Sequence, residues 1–232
     1  MPFALHKKSE FSETKERLPI GGIPKPTDEE RDALNRRFAW RYPAPATTAL
    51  PEKTSVTALE QADEPAFEEP AFETGYDVLA AGSAVHRVLE RMPLHDAQKR
   101  RAYLDAQPEL SAFHRRAVER FTSSPLFLRM SASARVEREW SFVCPFPARE
   151  LTDADSDEPV LLQGVIDACF VEDGAWVLLD YKTDRVEGDP DAYAQKHTKQ
   201  VSLYAKVLER LTGMPVRERY VVLLGADAEV RV

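Results

Sequence analysis

Only two cysteines, Cys144 and Cys169, stand in 232 residues. That excludes a multi-bridge disulfide framework, and this chain cannot supply a four-cysteine iron–sulfur cluster. Glycine is sparse as well, at 9 residues. None forms a GxxxxGK[ST] phosphate loop, so ATP hydrolysis by that route is excluded. No run approaches the roughly 18 consecutive apolar residues of a membrane helix. The opening stretch, MPFALHKKSEFSETKERL, has no apolar core of a secretion signal. These absences predict a cytoplasmic protein with no membrane partner. An excess of base is missing too: 31 Lys and Arg stand against 39 Asp and Glu, a net charge of −8. A passive nucleic-acid coat would be basic. A nuclease need not be, because carboxylates that hold a divalent cation count as negative until it binds.

What is present fits a globular chain, 43% hydrophobic and 30% charged. Residues 1–50 read as an extension or linker, with prolines at 2, 19, 24, 26, 43 and 45. Inside it, TDEERDALNRRF carries a cap, early acids and late arginines, which predicts a helix from Thr27 or Asp28 to Phe38. SVTALEQ (55–61) reads as a helix start, with Thr57 and Glu60 at capping-box spacing. The tandem EPAFE repeat (64–73) lies in an acidic stretch, 63–77, that reads as an exposed linker. A helix is predicted from Tyr76 to Met92, and more helices over 96–121 with the basic clusters QKRR and HRRAVER. Those clusters are either solvated faces or a path for phosphates.

Strands follow at 134–143, 160–171 and 176–182, the last two joined by Asp-Gly turn chemistry. A helix is predicted over 191–212 and a final strand over 216–224. The order αβββαβ predicts an α/β fold, with a mixed sheet of four or more strands flanked by helices. Three antiparallel strands would form a meander, and the last helix a crossover. Residues 51–232 would form this domain.

Asp167 interrupts the apolar strand VLLQGVIDACFV, and a buried lone charge is costly. Pairing about 173–174 sets Asp167 opposite Asp180, since both pairs of numbers sum to 347. Two carboxylates that close repel unless one is protonated or a cation lies between them. An oxygen-bound divalent ion answers that repulsion. Lys182 shares a face with Asp180, at i and i+2, and could orient or deprotonate a water beside the ion. A solvated ion pair at a strand end is the alternative. Gln200 and Tyr204, at i and i+4, share one helix face, either ordinary surface or aimed at nucleic acid. His86, after the small residues Gly82, Ser83 and Ala84, is either structural or a third ligand.

GSAVH (82–86), GVID (164–167), DYKTD (180–184) and QVSLY (200–204) come in the order and spacing of the RecB-like branch of the PD-(D/E)XK nucleases. With RRFAWRYP, LPEKTSVTALE and GMPVRERYVVLL beside them, residues 36–232 resemble the C-terminal nuclease domain of the AddA family of helicase–nuclease subunits. The resemblance implies a restriction-endonuclease-like core and a Mg²⁺-dependent deoxyribonuclease, an exonuclease acting in double-strand-break repair by homologous recombination. It implies His86, Asp167, Asp180 and the Tyr181 backbone carbonyl as metal ligands and Lys182 as the catalytic lysine. Gln200 and Tyr204 would shape the site or touch DNA, and Glu139 would support the metal. Mn²⁺ could replace Mg²⁺ at a site with a histidine ligand. The implied partners are DNA, single-stranded by preference, and an AddB-like subunit. The family's helicase motor is not in these residues, so the chain is expected to be the C-terminal part of a longer protein. Two other readings stay open: a non-catalytic DNA-end-binding or subunit-docking module, and a stand-alone exonuclease. Competent residues at every candidate catalytic position count against the first, and the helicase-side residues 36–60 count against the second.

Overall fold

The computed structural model describes residues 25–40, 50–61 and 75–232. Most of the proline-rich extension and the EPAFE repeat lie outside the described residues. The chain divides into two units, Met1–Pro45 and Ala46–Val232. The first contains α1 (Asp28–Ala39), which begins where its capping chemistry predicts. The Thr27 hydroxyl accepts from the Glu30 amide at 3.2 Å, and the Glu30 carboxylate accepts from the Thr27 amide at 2.8 Å.

The second unit is a mixed α/β sandwich around one sheet. Its six strands among the described residues are β1 (Lys53–Ser55), β2 (Val136–Pro147), β3 (Pro159–Glu172), β4 (Ala175–Lys182), β5 (Val216–Leu223) and β6 (Ala228–Arg231). β2, β3 and β4 form the expected antiparallel meander. Asp173 and Gly174 both take positive φ, 49° and 75°, which suits a tight hairpin turn between right-twisted strands. Helix α9 (Thr198–Thr212) then crosses over and brings β5 back parallel to β4. Gly213, at φ 69°, ends that helix.

The structure departs from the sequence reading in detail. β1 joins β3 in parallel and β6 joins β5, both outside the expected four strands. Residues 191–212 are two helices, α8 (Pro190–Gln195) and α9, broken at Lys196 and His197. Helix α2 (Val56–Gln61) is capped by Ser55, whose hydroxyl accepts from the Ala58 amide at 3.1 Å, and not by Thr57. β2 runs on to Pro147, and its prolines are tolerated because it pairs with β3 alone. Residues 75–77, read as the end of the acidic stretch, open α3 (Gly75–Arg91).

The sheet is covered on both faces. One core holds Ile166, Trp176, Leu178, Val201 and Leu208, under α2, α7 (Ala148–Leu151), α8 and α9. The other holds Val88, Met92, Phe127, Phe170 and Leu179, under α3, α4 (Ala97–Asp105), α5 (Ala112–Phe121) and α6 (Pro125–Ala132). β4 lies between β3 and β5 and is buried from Ala175 to Tyr181. A strand covered on both faces reads as the continuous apolar run WVLL.

Side-chain alternation slips by one residue in the middle of β2 and β3. In β3, Val160, Leu162 and Ile166 face the first core, but Ala168 and Phe170 face the second. In β2, Trp140, Phe142 and Cys144 pack on the first core, whereas Val136 packs on the second. The slip falls at Asp167 in one strand and at Glu139 in the other. Glu139 takes φ 48°, a left-handed conformation that costs a residue with a Cβ roughly 1–2 kcal/mol. The residues on either side stay paired, Arg138 with Ala168 and Trp140 with Ile166, but these two acids leave the ladder.

The second edge of β3 has a gap at the same level. β1 pairs with residues 161–163 and β4 with residues 168–172, leaving 164–167 without a strand partner on that side. Beyond β5, the Leu224 amide donates to the Lys182 carbonyl at 2.9 Å. A Cβ on the next residue, Gly225, would lie 2.3 Å from the Asp184 carbonyl oxygen. Glycine there lets the exit of β5 run against DYKTD.

Candidate active site

Four elements meet at the gap: β3, the end of β4, α3 and α9, with β2 behind. The β3–β4 ladder ends at Ala168–Leu179, one step before Asp167 and Asp180. The strands part there, and a side chain takes over from the backbone. Asp167 Oδ2 accepts from the Tyr181 amide at 2.7 Å. N–H and C=O of an extended residue point to the same edge. The Tyr181 carbonyl therefore faces the gap as well.

Asp167 Oδ1 turns the other way, 3.3 Å from His86 Nδ1, and Glu139 Oε1 lies 3.4 Å from the same nitrogen. His86, Glu139 and Asp167 each offer one ligand atom, and the three atoms all lie within 4.8 Å of one another. One hard divalent cation fits that donor set of imidazole and two carboxylates. Without a cation, a protonated His86 offsets one of the two carboxylate charges. Burial would lower the His86 pKa, but hydrogen bonds to Asp167 and Glu139 carry it up to about 10. The Tyr181 ring packs edge-on against His86, with centroids 6.1 Å apart. Gly82, one turn earlier on α3, lets the helix come close to DYKTD, since a Cβ there would sit 3.0 Å from Thr183 Oγ1, a tight contact.

Asp180 stands outside that three-residue cluster. It faces α9 together with Lys182, as their i, i+2 spacing requires. Lys182 Nζ lies 3.1 Å from Asp180 Oδ2 and donates to Gln200 Oε1 at 2.9 Å. Gln200 in turn donates to the Tyr204 hydroxyl at 3.3 Å. The tyrosine ring reaches β3 through Gly164, where a Cβ would meet Phe142 at 2.8 Å and Tyr204 at 3.3 Å. The expected i, i+4 pair on α9 is thus a buried support for the lysine.

The ion pair is not symmetric. Burial, then the Asp167 charge, push the Asp180 carboxyl up to about 6, although Lys182 opposes them. Lys182 also moves up: burial would lower it, but Asp180, Glu60 and Asp167 outweigh burial. An isolated pair would lower the acid and raise the base. Asp180 rises because it is 3% exposed and faces a second carboxylate. Its Oδ2 has a charge contact with Lys182 but no hydrogen bond of good geometry, so an acceptor position there is unspent.

Two residues here escape sequence reasoning. Glu60 on α2 pairs with His197, just before α9, at 2.7 Å, with both side chains about 15% exposed. Spacing in the sequence offers Glu60 only a role in a helix cap, and the pair spans 137 residues, so no local pattern signals it.

Residues 56–230 match a family model described as the PD-(D/E)XK nuclease superfamily. The chain belongs to that superfamily. Among curated relatives, the AddA-type ATP-dependent helicase/nuclease protein of Desulforudis audaxviator is 33% identical, aligned over 87% of this chain and 19% of that protein. Its counterparts from Alkaliphilus metalliredigens and Bacillus pumilus are each 28% identical. Those alignments cover 88% and 92% of this chain, against 19% and 20% of the relatives. The chain spans about a fifth of the length of the relatives it matches. It is a PD-(D/E)XK nuclease domain homologous to these AddA-type proteins. Among the described residues, no helix is long and apolar enough to cross a membrane.

Proposed function

We propose that this domain is a Mg²⁺-dependent deoxyribonuclease, with Mn²⁺ as a working substitute. It degrades single-stranded DNA from an end, as the nuclease part of an AddAB-type helicase–nuclease in cytoplasmic double-strand-break repair by recombination. A helicase motor and an AddB-like subunit would deliver the strand. The observation that carries this reading is the meeting of His86, Glu139, Asp167, Asp180 and Lys182 at one gap in the sheet of a PD-(D/E)XK domain.

His86, Asp167, Asp180 and the Tyr181 carbonyl would hold the ion, with Glu139 beside them. When bound, a hard divalent ion supplies Lewis-acid polarisation of a phosphoryl oxygen and a more acidic water. The protein's own groups do the positioning. Lys182, steered by Asp180 and Gln200, would position the attacking water and stabilise the developing phosphoryl charge. Tyr204 fixes the Gln200 amide from behind. Burial of Asp180 and Gln200 keeps bulk water away from that side.

Linear single-stranded DNA is expected to be degraded with Mg²⁺ or Mn²⁺ and to survive in EDTA, with activity restored by excess Mg²⁺. A circular strand should persist where the linear one disappears. Binding without cutting under every metal condition would instead identify the DNA-end-binding or docking module.

A further inference from the structure

The ligand cluster opens into a groove of about 540 Å³ along α3. Its walls include Ser83, Arg87 and Arg91 from the helix, and Thr183 and Asp184 from the segment after Lys182. We propose that this groove carries the sugar–phosphate backbone of the DNA strand away from the cleavage point, with Arg87 and then Arg91 holding two successive phosphates. The proposal rests on the nuclease reading and adds the path of the substrate.

Spacing supports it. Arg87 and Arg91 are one helical turn apart, about 6 Å along the axis, close to one nucleotide step of an extended strand. Arg87 adjoins His86 in sequence, so the first phosphate would sit next to the cluster. Arg87 is exposed and makes no ion pair among the described residues, whereas Arg91 pairs there with its neighbour Glu90, at 3.6 Å. A guanidinium without a fixed partner is available for a phosphate fork.

The acids in the groove are already engaged. Glu90 lies against Arg91, and Asp184 Oδ2 accepts from the Tyr193 hydroxyl at 2.9 Å. Glu139 faces His86. Arg87 and Arg91 are therefore the arginines that the groove offers to a phosphate, while its acids are held by partners within the protein.

The basic clusters in sequence, QKRR and HRRAVER, compete poorly for this role. Arg100 donates to the Leu94 carbonyl and stacks on Phe127, 4.9 Å from the ring centre. Arg115 donates to the Leu104 and Gln107 carbonyls, and Arg120 pairs with Asp227 at 3.3 Å. Arg100 and Arg115 thus tie α4 and α5 to neighbouring segments, and Arg120 holds the turn before β6.

The test measures affinity for a fluorescent single-stranded oligonucleotide, in EDTA, across a salt series, together with cleavage in Mg²⁺. Arg87→Ala and Arg91→Ala should each weaken binding about tenfold and reduce the slope of log affinity against log salt by about 0.7. Their KM should rise with kcat nearly kept. Arg101→Ala, in QKRR, should leave both slope and affinity unchanged. Equal slopes for the parent and both groove variants would overturn the proposed path. If that happens while the parent still cuts, the nuclease reading stands and only the path fails. A parent that cuts nothing but loses salt slope in Arg87→Ala keeps the path and removes the catalysis. A parent that binds no oligonucleotide removes the path outright.

Discussion

Lys182→Ala is expected to lower the rate of DNA cleavage about 10³-fold while leaving the domain folded. Nothing else in the site donates a hydrogen bond from the same place. Gln200 reaches Lys182 with its oxygen and commits its NH₂ to Tyr204. Loss of one preorganised donor to developing charge costs on the order of 10²–10³ in kcat, and loss of the lysine charge adds to that. Removing one partner of a buried pair normally destabilises a fold by several kcal/mol. Here the cost is moderated, because Asp180 already has its pKa raised to about 6 and can take up a proton once its partner is gone. Steady-state kinetics beside thermal melting decide the matter. A variant that still cuts at the parental rate would remove Lys182 from the mechanism, and one that fails to fold would make the lysine structural.

Asp167→Asn should be equally severe for cleavage and harmless for the fold. An asparagine oxygen can still accept from the Tyr181 amide, which preserves the contact that joins β3 to β4 beyond their ladder. The charge it removes is the one facing His86 and Asp180. Without that charge, Asp180 is relieved of a repulsion and His86 loses an attraction, so the melting temperature of the metal-free protein should change little. The metal-bound protein should differ most. Mg²⁺ or Mn²⁺ should raise the melting temperature of the parent in proportion to site occupancy. In Asp167→Asn that rise should be largely absent, and cleavage should fall at least 10³-fold. A sharp drop in metal-free stability would show that Asp167 serves the fold and not a cation.

Much of the fold is legible because its elements are locally consistent. The Asp-Gly turn, the buried run WVLL and the stripe on α9 each express a single physical requirement, and together they specify αβββαβ. What stays hidden depends on long-range partners. β1 is three residues long and exists only because the edge of β3 is available to it. β6 likewise leans on β5. The break at Lys196 and His197 has no proline or glycine to announce it.

The candidate site is legible in the same uneven way. Asp167 is conspicuous because a charge inside an apolar strand needs a partner. The parity of a strand places Asp180 and Lys182 on one face, and they do face α9 together. Glu139 gives only a weak signal, since nothing in EREWSF announces a left-handed residue. The structure sets it in the same cluster as His86 and Asp167. Glu60 and His197 give none, being brought together by the docking of α2 onto α9.

The one-residue slip shared by β2 and β3 resembles a dislocation in a crystal. Order is intact on either side, and the defect sits where two lattices meet. Here the lattices are two hydrophobic cores, and each strand is keyed to both. Sliding β2 along β3 by one residue would turn apolar side chains to the wrong face at both ends at once. The slip therefore acts as a double lock on strand register. Glu139 and Asp167, seated at the defect itself, keep their mutual spacing through the packing of the two cores on either side.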